Sequence, residues 1–319
     1  MGILAWRRYA KGRSNMKVDV VLLTFNSVKP VLPECLQSLK REVPVNRLIV
    51  VDGGSTDATL DVCQEYFPNC EIINDVDGNR ATSRQKGIES VKTDWFLFLD
   101  ADVILHAQWF SEAVQSINPK VGAVQGAIIQ RIDPVIHDFD YAMRRLRKMF
   151  GGLTYKPLLA PTDRGFTGDV LVRASLVKDI YIPKLLHHWE DHYVKRWIEN
   201  KNYLWVRCST ALCDHYMIDR SAKASYYGSF IGYFIGYLTV KSSLIAMATI
   251  FPKILFALCL KPNLKMAWWQ LKFQFWSTIG ALKAYFANPR TEIKKAFEFK
   301  VGARKEEIEG SRPDYVRID

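Results

Sequence analysis

Over the first 130 residues, short apolar runs alternate with stretches whose apolar positions recur at helical spacing. That alternation predicts a parallel sheet with crossover helices. A strand is expected over residues 18–24 (Val-Asp-Val-Val-Leu-Leu-Thr), a helix near 32–40 and a second strand over 47–51. Ser55 and Asp57 then supply capping chemistry for a helix running to Tyr66. A short strand at 71–73 and a helix over 81–91 lead to Trp-Phe-Leu-Phe-Leu at 95–99, an unbroken apolar run suited to a strand buried on both faces. A helix near 107–117 and a strand over 122–129 follow.

The alternation then loosens into a charged stretch with Gly and Pro around residues 131–168, containing Arg144, Arg145, Arg147 and Lys148 and the loop Thr162-Asp163-Arg164-Gly165-Phe166-Thr167-Gly168-Asp169. Loops this long are functional or disordered in most compact domains. A helix over 189–200 and a strand over 203–208 end the part that reads as an ordinary soluble domain.

After residue 220 the chain changes character. Between Ser221 and Pro289 there are seven lysines and no Asp or Glu, and 15 of the chain's 40 aromatics. Residues 226–240 are uncharged, too short as a helix to cross a hydrocarbon core of about 30 Å. Gly228, Gly232 and Gly236 form a small-residue stripe that predicts the close approach of another helix. On a helix over 264–286, Lys265, Lys272 and Lys283 share one line, and Leu264, Trp268, Leu271, Phe275, Ile279, Leu282 and Phe286 are expected on the opposite arc, a pattern that fits a helix lying in a lipid interface. The formal charge of +11 is thus concentrated in this segment and in a basic arm at residues 7–17, which favours a membrane surface over nucleic acid as the partner. The expected organisation is an arm (1–16), a catalytic domain (17–220), membrane-associated helices (221–289) and a polar tail (290–319).

The six cysteines are scattered with no Cys-x-x-Cys pair, so neither a disulfide framework nor a zinc site is expected, and a reducing compartment is the simpler reading. The N-terminus lacks the apolar core of a signal peptide, Met16 offers an alternative start, and Trp6 stands where a myristoylation signal needs Ser or Thr.

In open parallel sheets ligands bind beyond the carboxyl ends of the strands, where loops and helix N-termini converge. Here those ends carry Thr24-Phe25-Asn26, Asp52-Gly53-Gly54-Ser55-Thr56-Asp57 and Asp100-Ala101-Asp102. Asp-x-Asp alone means little, and the chain has two more, at 75/77 and 138/140. The pair at 100–102 differs because it directly follows a buried strand, where two close carboxylates are costly without a cation. Asp57 is expected as a helix-cap or first-turn carboxylate and not as a ligand contact. No Gly-x-Gly-x-x-Gly follows the first strand, which argues against a dinucleotide oxidoreductase.

Taken in order, Thr24-Phe25-Asn26, Asp52-Gly53-Gly54-Ser55-Thr56-Asp57, Ser83-Arg84-Gln85-Lys86-Gly87-Ile88, Phe98-Leu99-Asp100-Ala101-Asp102 and Glu190-Asp191 resemble the inverting family 2 nucleotide-sugar glycosyltransferases of the GT-A fold, over about residues 17–216. The chain departs from the family pattern at Gly53, usually Asp, and Gln85, usually Asn. The resemblance implies a mixed, mostly parallel α/β sheet flanked by helices, followed here by the membrane-associated segment. It implies that Asp52, Thr24 and Asn26 line the base pocket and that Arg84 faces the base or the diphosphate of a UDP- or GDP-sugar. Asp100 would contact the ribose or the metal, Asp102 would hold Mn2+ or Mg2+ with His215 adding a metal or phosphate ligand, and Asp191, beside Glu190, would be the general base. A base suits a hydroxyl acceptor, because a phosphate acceptor is already ionised. The expected function is therefore sugar transfer to a lipid-linked or cell-surface glycan at the cytoplasmic face of the cell membrane. A polyprenyl-phosphate sugar synthase and a non-catalytic membrane-binding module are the alternatives. Asp219-Arg220-Ser221-Ala222-Lys223-Ala224-Ser225 matches the synthases' Arg-x-x-Gly-x-Ser-Lys stretch only in part.

Overall fold

The computed structural model describes residues 16–132, 134–149, 165–217, 222–234 and 239–287. Outside them lie residues 1–15 of the basic arm, the tail 290–319, Thr162, Asp163, Arg164 and Gly236; the side chains of Arg144, Arg147 and Lys148 are likewise not described. The chain divides into two compact units, one of residues 1–130 and 161–216 and one of 131–160 and 217–319. The second unit begins near residue 216, but it also takes in residues 131–160, which the sequence reading places in the catalytic domain.

The first unit is built on an eight-stranded sheet of order β3-β2-β1-β4-β7-β6-β8-β5. Its strands are β1 (Val18–Thr24), β2 (Val45–Asp52), β3 (Glu71–Asn74), β4 (Trp95–Asp100), β5 (Val103–Leu105), β6 (Val121–Ile132), β7 (Asp169–Arg173) and β8 (Leu204–Met217). β1 pairs in parallel with β2 and β4, and β2 with β3. β7 joins β4 and β6 antiparallel, and β5 joins β8 antiparallel. The sheet is therefore mixed, with its parallel half first in the chain, as the alternating pattern implies. Neither β5 nor β7 is expected from the sequence reading; Val170-Leu171-Val172 is an apolar run too short to stand out inside a long polar loop.

Helices α1 (Leu32–Glu42), α2 (Thr59–Tyr66), α3 (Arg80–Ser90) and α4 (Trp109–Gln115) connect the strands, and after α5 (Pro134–Met149) of the second unit comes α6 (Glu190–Asn200). Asn79 caps α3 through hydrogen bonds from the Ala81 and Thr82 amides, while the Thr82 hydroxyl accepts from the Asn79 amide. Asp57 accepts from the Thr59 amide and hydroxyl at the start of α2, the local role expected of it. Val20, Leu22, Leu97, Leu99 and Trp109 are fully buried in one core. β4 thus has no solvent-facing side chain until it reaches Asp100.

The second unit holds α5, α7 (Ala222–Phe234), α8 (Val240–Ala248), α9 (Ile250–Leu260) and α10 (Leu264–Ala287). α7 packs on α10 through small polar residues: the Ser225 hydroxyl donates to the Phe273 carbonyl at 2.8 Å, and the Ser229 and Ser277 hydroxyls lie 2.6 Å apart. Of the expected glycine stripe, Gly228 is not what permits this approach. A Cβ on Gly228 would meet nothing within 4 Å, whereas one on Gly280 of α10 would come within 2.3 Å of the Tyr226 carbonyl oxygen. On α10 the buried positions are Met266, Ala267, Gln270, Thr278, Ala281 and Ala284, while Leu264, Trp268, Phe275 and Phe286 are exposed together with Lys265, Lys272 and Lys283. The lysines therefore lie beside the aromatic arc and not opposite it: at ~100° per residue the two lines are roughly 75° apart, and Lys272 sits 5.1 Å over the Trp268 ring. Among the described residues no single helix is long and apolar enough to cross a membrane.

Candidate active site

At the carboxyl ends of β1 and β2, Thr24 and Asp52 are register partners. The Thr24 hydroxyl donates to Asp52 Oδ1 at 2.8 Å, and the Ser55 hydroxyl to the same oxygen at 2.6 Å. Asp52 Oδ2 accepts from the Gly54 and Ser55 amides at 2.9 and 2.7 Å. Burial opposes a charge here, but these hydrogen bonds outweigh it and hold the Asp52 carboxyl below its ordinary range. Asn26, at φ 48°, accepts from the Thr56 amide at 2.8 Å and the Asp57 amide at 3.3 Å. Thr24, Asn26 and Asp52 are thereby brought together where the loops after β1 and β2 bond each other. The exposed Phe25 ring lies beside Gly53, where a Cβ would stand 3.4 Å from it.

At the next strand end, Asp100 finishes β4 and Asp102 enters β5. β5 is in register with β8, so that Val103 pairs with His215 and the Tyr216 amide donates to the Asp102 carbonyl. One ligand atom from each of Asp100, Asp102 and His215 lies within 4.8 Å of the others, and His215 Nε2 is 3.3 Å from Asp102 Oδ1. Burial disfavours the imidazolium, but Asp102 and then Asp100 outweigh it and raise the His215 pKa. Two carboxylates and one imidazole that are drawn together and half-buried make a donor set suited to a divalent cation of the Mn2+ or Mg2+ kind. Gly168 closes this corner: its carbonyl accepts from the Asp100 amide at 2.9 Å, and a Cβ there would come 3.0 Å from Asp100 Oδ2.

Arg84 is turned inward. It lies on the face of α3 that also buries Ala81 and Ile88, and its guanidinium sits 5.3 Å over the Phe98 ring. One terminal nitrogen bonds Asp100 Oδ1 at 3.1 Å, and Nε bonds Glu190 Oε1 at 3.3 Å. The side chain is 4% exposed and holds two carboxylates. The 81/84/88 spacing signals this in the sequence, since it puts Arg84 in line with two apolar positions.

Glu190 and Asp191 open α6, and both are buried. Burial and the neighbouring Asp191 push the Glu190 carboxyl up to about 7, against the pull of Arg84. Asp100 behaves the other way: burial opposes its charge, but the Arg84 guanidinium outweighs it and keeps the carboxyl below its ordinary range. Asp191 Oδ1 accepts from the His192 amide at 2.7 Å. The result is two carboxylate centres, Asp100/Asp102 and Glu190/Asp191, linked by one arginine.

Two features escape the sequence reading. Asp169, at the start of β7, is fully buried and raised to about 7 by that burial, with its Oδ2 accepting from the Cys213 thiol at 3.2 Å. Gly168 carries no signal in the sequence beyond its place in a Gly-containing loop.

The family model "Glycosyl transferase family 2" matches residues 19–174. A "PGL/p-HBAD biosynthesis glycosyltransferase" of Mycobacterium bovis is 37% identical over 93 residues, 28% of this chain and 36% of that one. The "Poly-beta-1,6-N-acetyl-D-glucosamine synthase" of Staphylococcus epidermidis is 25% identical over 114 residues, 34% of this chain and 28% of that one. The chain thus spans about a third of the length of these curated relatives. Among solved structures, a mannosyltransferase from Pyrobaculum calidifontis in complex with GDP-Man and Mn2+ shares the fold, with a TM-score of 0.51 at 16% identity over 90% of this chain and 83% of that one.

Proposed function

The chain belongs to glycosyl transferase family 2, and from this premise we propose that it is a metal-dependent inverting glycosyltransferase moving a sugar from a nucleotide diphosphate donor to a hydroxyl of a lipid-linked or cell-surface glycan. The observation that carries the proposal is the gathering of Asp100, Asp102 and His215 within 4.8 Å at the end of β4, tied through Arg84 to the Glu190-Asp191 pair. A mannosyltransferase of the same fold holds GDP-Man and Mn2+, which supports both the donor class and the cation.

In this reading the cluster of Thr24, Asn26 and Asp52 receives the base. Asp102, His215 and Asp100 hold the divalent cation, which when bound neutralises charge on the departing diphosphate. Asp191 takes the proton from the acceptor hydroxyl as its oxygen attacks the anomeric carbon from the face opposite the leaving group, inverting that centre. A well-placed base of this kind contributes roughly 10²–10⁴-fold. Glu190 stays paired with Arg84 and serves to position its neighbour. An acceptor presented at the cytoplasmic leaflet fits the lysine-rich, acid-free segment 221–289.

The test is a panel of UDP-, GDP- and dTDP-sugars with Mn2+ or Mg2+, read by melting temperature and by release of nucleoside diphosphate. One donor with one cation should raise the melting temperature by several degrees. If none does with either cation, the proposal fails.

A further inference from the structure

The exposed side of α8 and α9 is a continuous apolar stripe. Leu244, Ile245, Phe251 and Leu255 are 48, 54, 58 and 65% exposed, and Ala248, Pro252 and Cys259 are exposed between and beyond them. These positions recur at the i, i+3, i+4 and i+7 spacing that defines one helix face. The opposite side is spent on packing within the unit: Ile250 and Ile254 bury against Ala267, and Ala257 against Met266 and Ala142. Exposed lysines bracket the stripe, Lys241 at its start and Lys261 just past its end. Lys253, the one charge between them, folds back so that its ammonium donates to the Thr249 hydroxyl at 2.8 Å.

An uncovered apolar face of this extent marks an interaction site. Its occupant is identified by charge. All seven charged residues between 221 and 289 are lysines, so the stripe's own segment carries positive charge only, with Asp138 of α5, held by the Asn263 amide at 3.2 Å, as a nearby acid. The segment's charge matches an anionic lipid surface and would repel a second copy of itself. The geometry also separates the ways of meeting that surface. The two helices pass together as a candidate span with a 43° bend between them. A span, however, would carry α10 into the hydrocarbon beside α9, since Met266 and Ala267 pack on it, and α10 exposes Lys265 and Lys272 there. Only one side of the elbow is both apolar and free, which is the arrangement of a helix lying flat in the interface.

We infer that α8 and α9 form an in-plane anchor, inserting Leu244, Ile245, Phe251 and Leu255 into one anionic leaflet with Lys241 and Lys261 both at the headgroups of that same leaflet. The inference rests on the membrane setting proposed above and adds the element, the face and the topology.

The experiment uses the full chain added to sealed phosphatidylcholine vesicles with and without a quarter phosphatidylglycerol. Flotation should require the anionic lipid, weaken as salt screens the lysines and fall by roughly tenfold or more in Phe251→Glu/Leu255→Glu. In a background of Cys70→Ser/Cys259→Ser, the single variants Lys241→Cys and Lys261→Cys should both react with a membrane-impermeant maleimide supplied outside. Protection of one of the two would establish a span and overturn the in-plane anchor. Failure of the wild-type chain to float, with light scattering showing a dimer that Leu255→Glu dissolves, would make the face a contact between copies and also overturn it. The nucleotide-sugar melting shift is measured on the same preparations without vesicles. Its loss would sink the enzymatic reading while leaving flotation untouched, and the reverse pattern would sink the anchor alone.

Discussion

Arg84 and Asp100 meet at 3.1 Å, and because the same guanidinium also bonds Glu190 at 3.3 Å, the end of β4 and the start of α6 are held by one buried cation. Removing that cation leaves Asp100, Glu190 and Asp191 opposed only by the weaker influence of Arg80 and, at Asp100, of His215. Breaking a buried pair from one side costs about 3–5 kcal/mol. Arg84→Met should accordingly lower the melting temperature by several degrees and abolish transfer. Arg84→Lys keeps the charge but cannot fork to two carboxylates, so it should fold better than the Met variant and still lose most activity. Melts and donor turnover measured side by side would decide; an Arg84→Met protein with wild-type stability would show that the bridge is dispensable.

The parallel half of the sheet was legible because each strand is a pure apolar run and each helix carries its own period, so local pattern and global fold agree there. The strand ends were legible too, since Thr24, Asp52 and Asp100 follow directly on those runs. Direction was harder. A motif gives Arg84 a family role, but only the phase of α3, with Ala81 and Ile88 on the same side, tells that it points into the protein. α10 taught a similar lesson: the sequence pattern marks lysines and aromatics, yet which arc packs was decided by small residues such as Ala267, Ala281 and Gly280, which let α9 and α7 come close. Asp169 was illegible because a lone acid before Val-Leu-Val reads as loop, and only the pairing of Asp169 with Leu99 in β4 puts it inside.

Asp191 and Asp102 should separate binding from transfer. Asp191→Asn keeps the shape and the amide contact from His192, so the variant should show the wild-type melting shift with donor and metal. Its transfer should fall by roughly 10²–10⁴-fold. Asp102→Ala removes one of the three proposed cation ligands, and its donor-induced shift should lose its metal dependence altogether. A phosphate acceptor needs no base, so full turnover by Asp191→Asn would point to a polyprenyl-phosphate acceptor.

Asp169 makes a statement about pH. Its folded pKa is raised to about 7 from an ordinary 3.8, so the folded chain holds this proton more tightly than the unfolded one. The stabilisation is complete below about pH 3.8 and is lost as pH rises through 7. Asp169→Asn carries no charge at any pH and escapes that loss. The variant's melting temperature, relative to wild type in metal-free buffer, should therefore climb between pH 5 and pH 8 and level off above it. A difference that stays flat over this range would mean that Asp169 is ionised throughout.

Gly280 and Gly228 form a matched pair in the helices of the second unit. In a helix interior, Gly→Ala ordinarily stabilises by about 1 kcal/mol, because it reduces the freedom of the unfolded chain. At Gly228 a Cβ meets nothing within 4 Å, so Gly228→Ala should show that gain. At Gly280 the Cβ would lie 2.3 Å from the Tyr226 carbonyl oxygen and 3.2 Å from the Phe230 nitrogen, which are backbone atoms that no side-chain rotation can move aside. α7 and α10 must then separate and strain the Ser225–Phe273 and Ser229–Ser277 contacts, a cost of about 1–3 kcal/mol for overpacking that outweighs the propensity gain. Thermal melts should thus move in opposite directions for the same substitution, up for Gly228→Ala and down for Gly280→Ala. Equal shifts of either sign would show that the close approach of α7 to α10 does not depend on the missing side chain at Gly280.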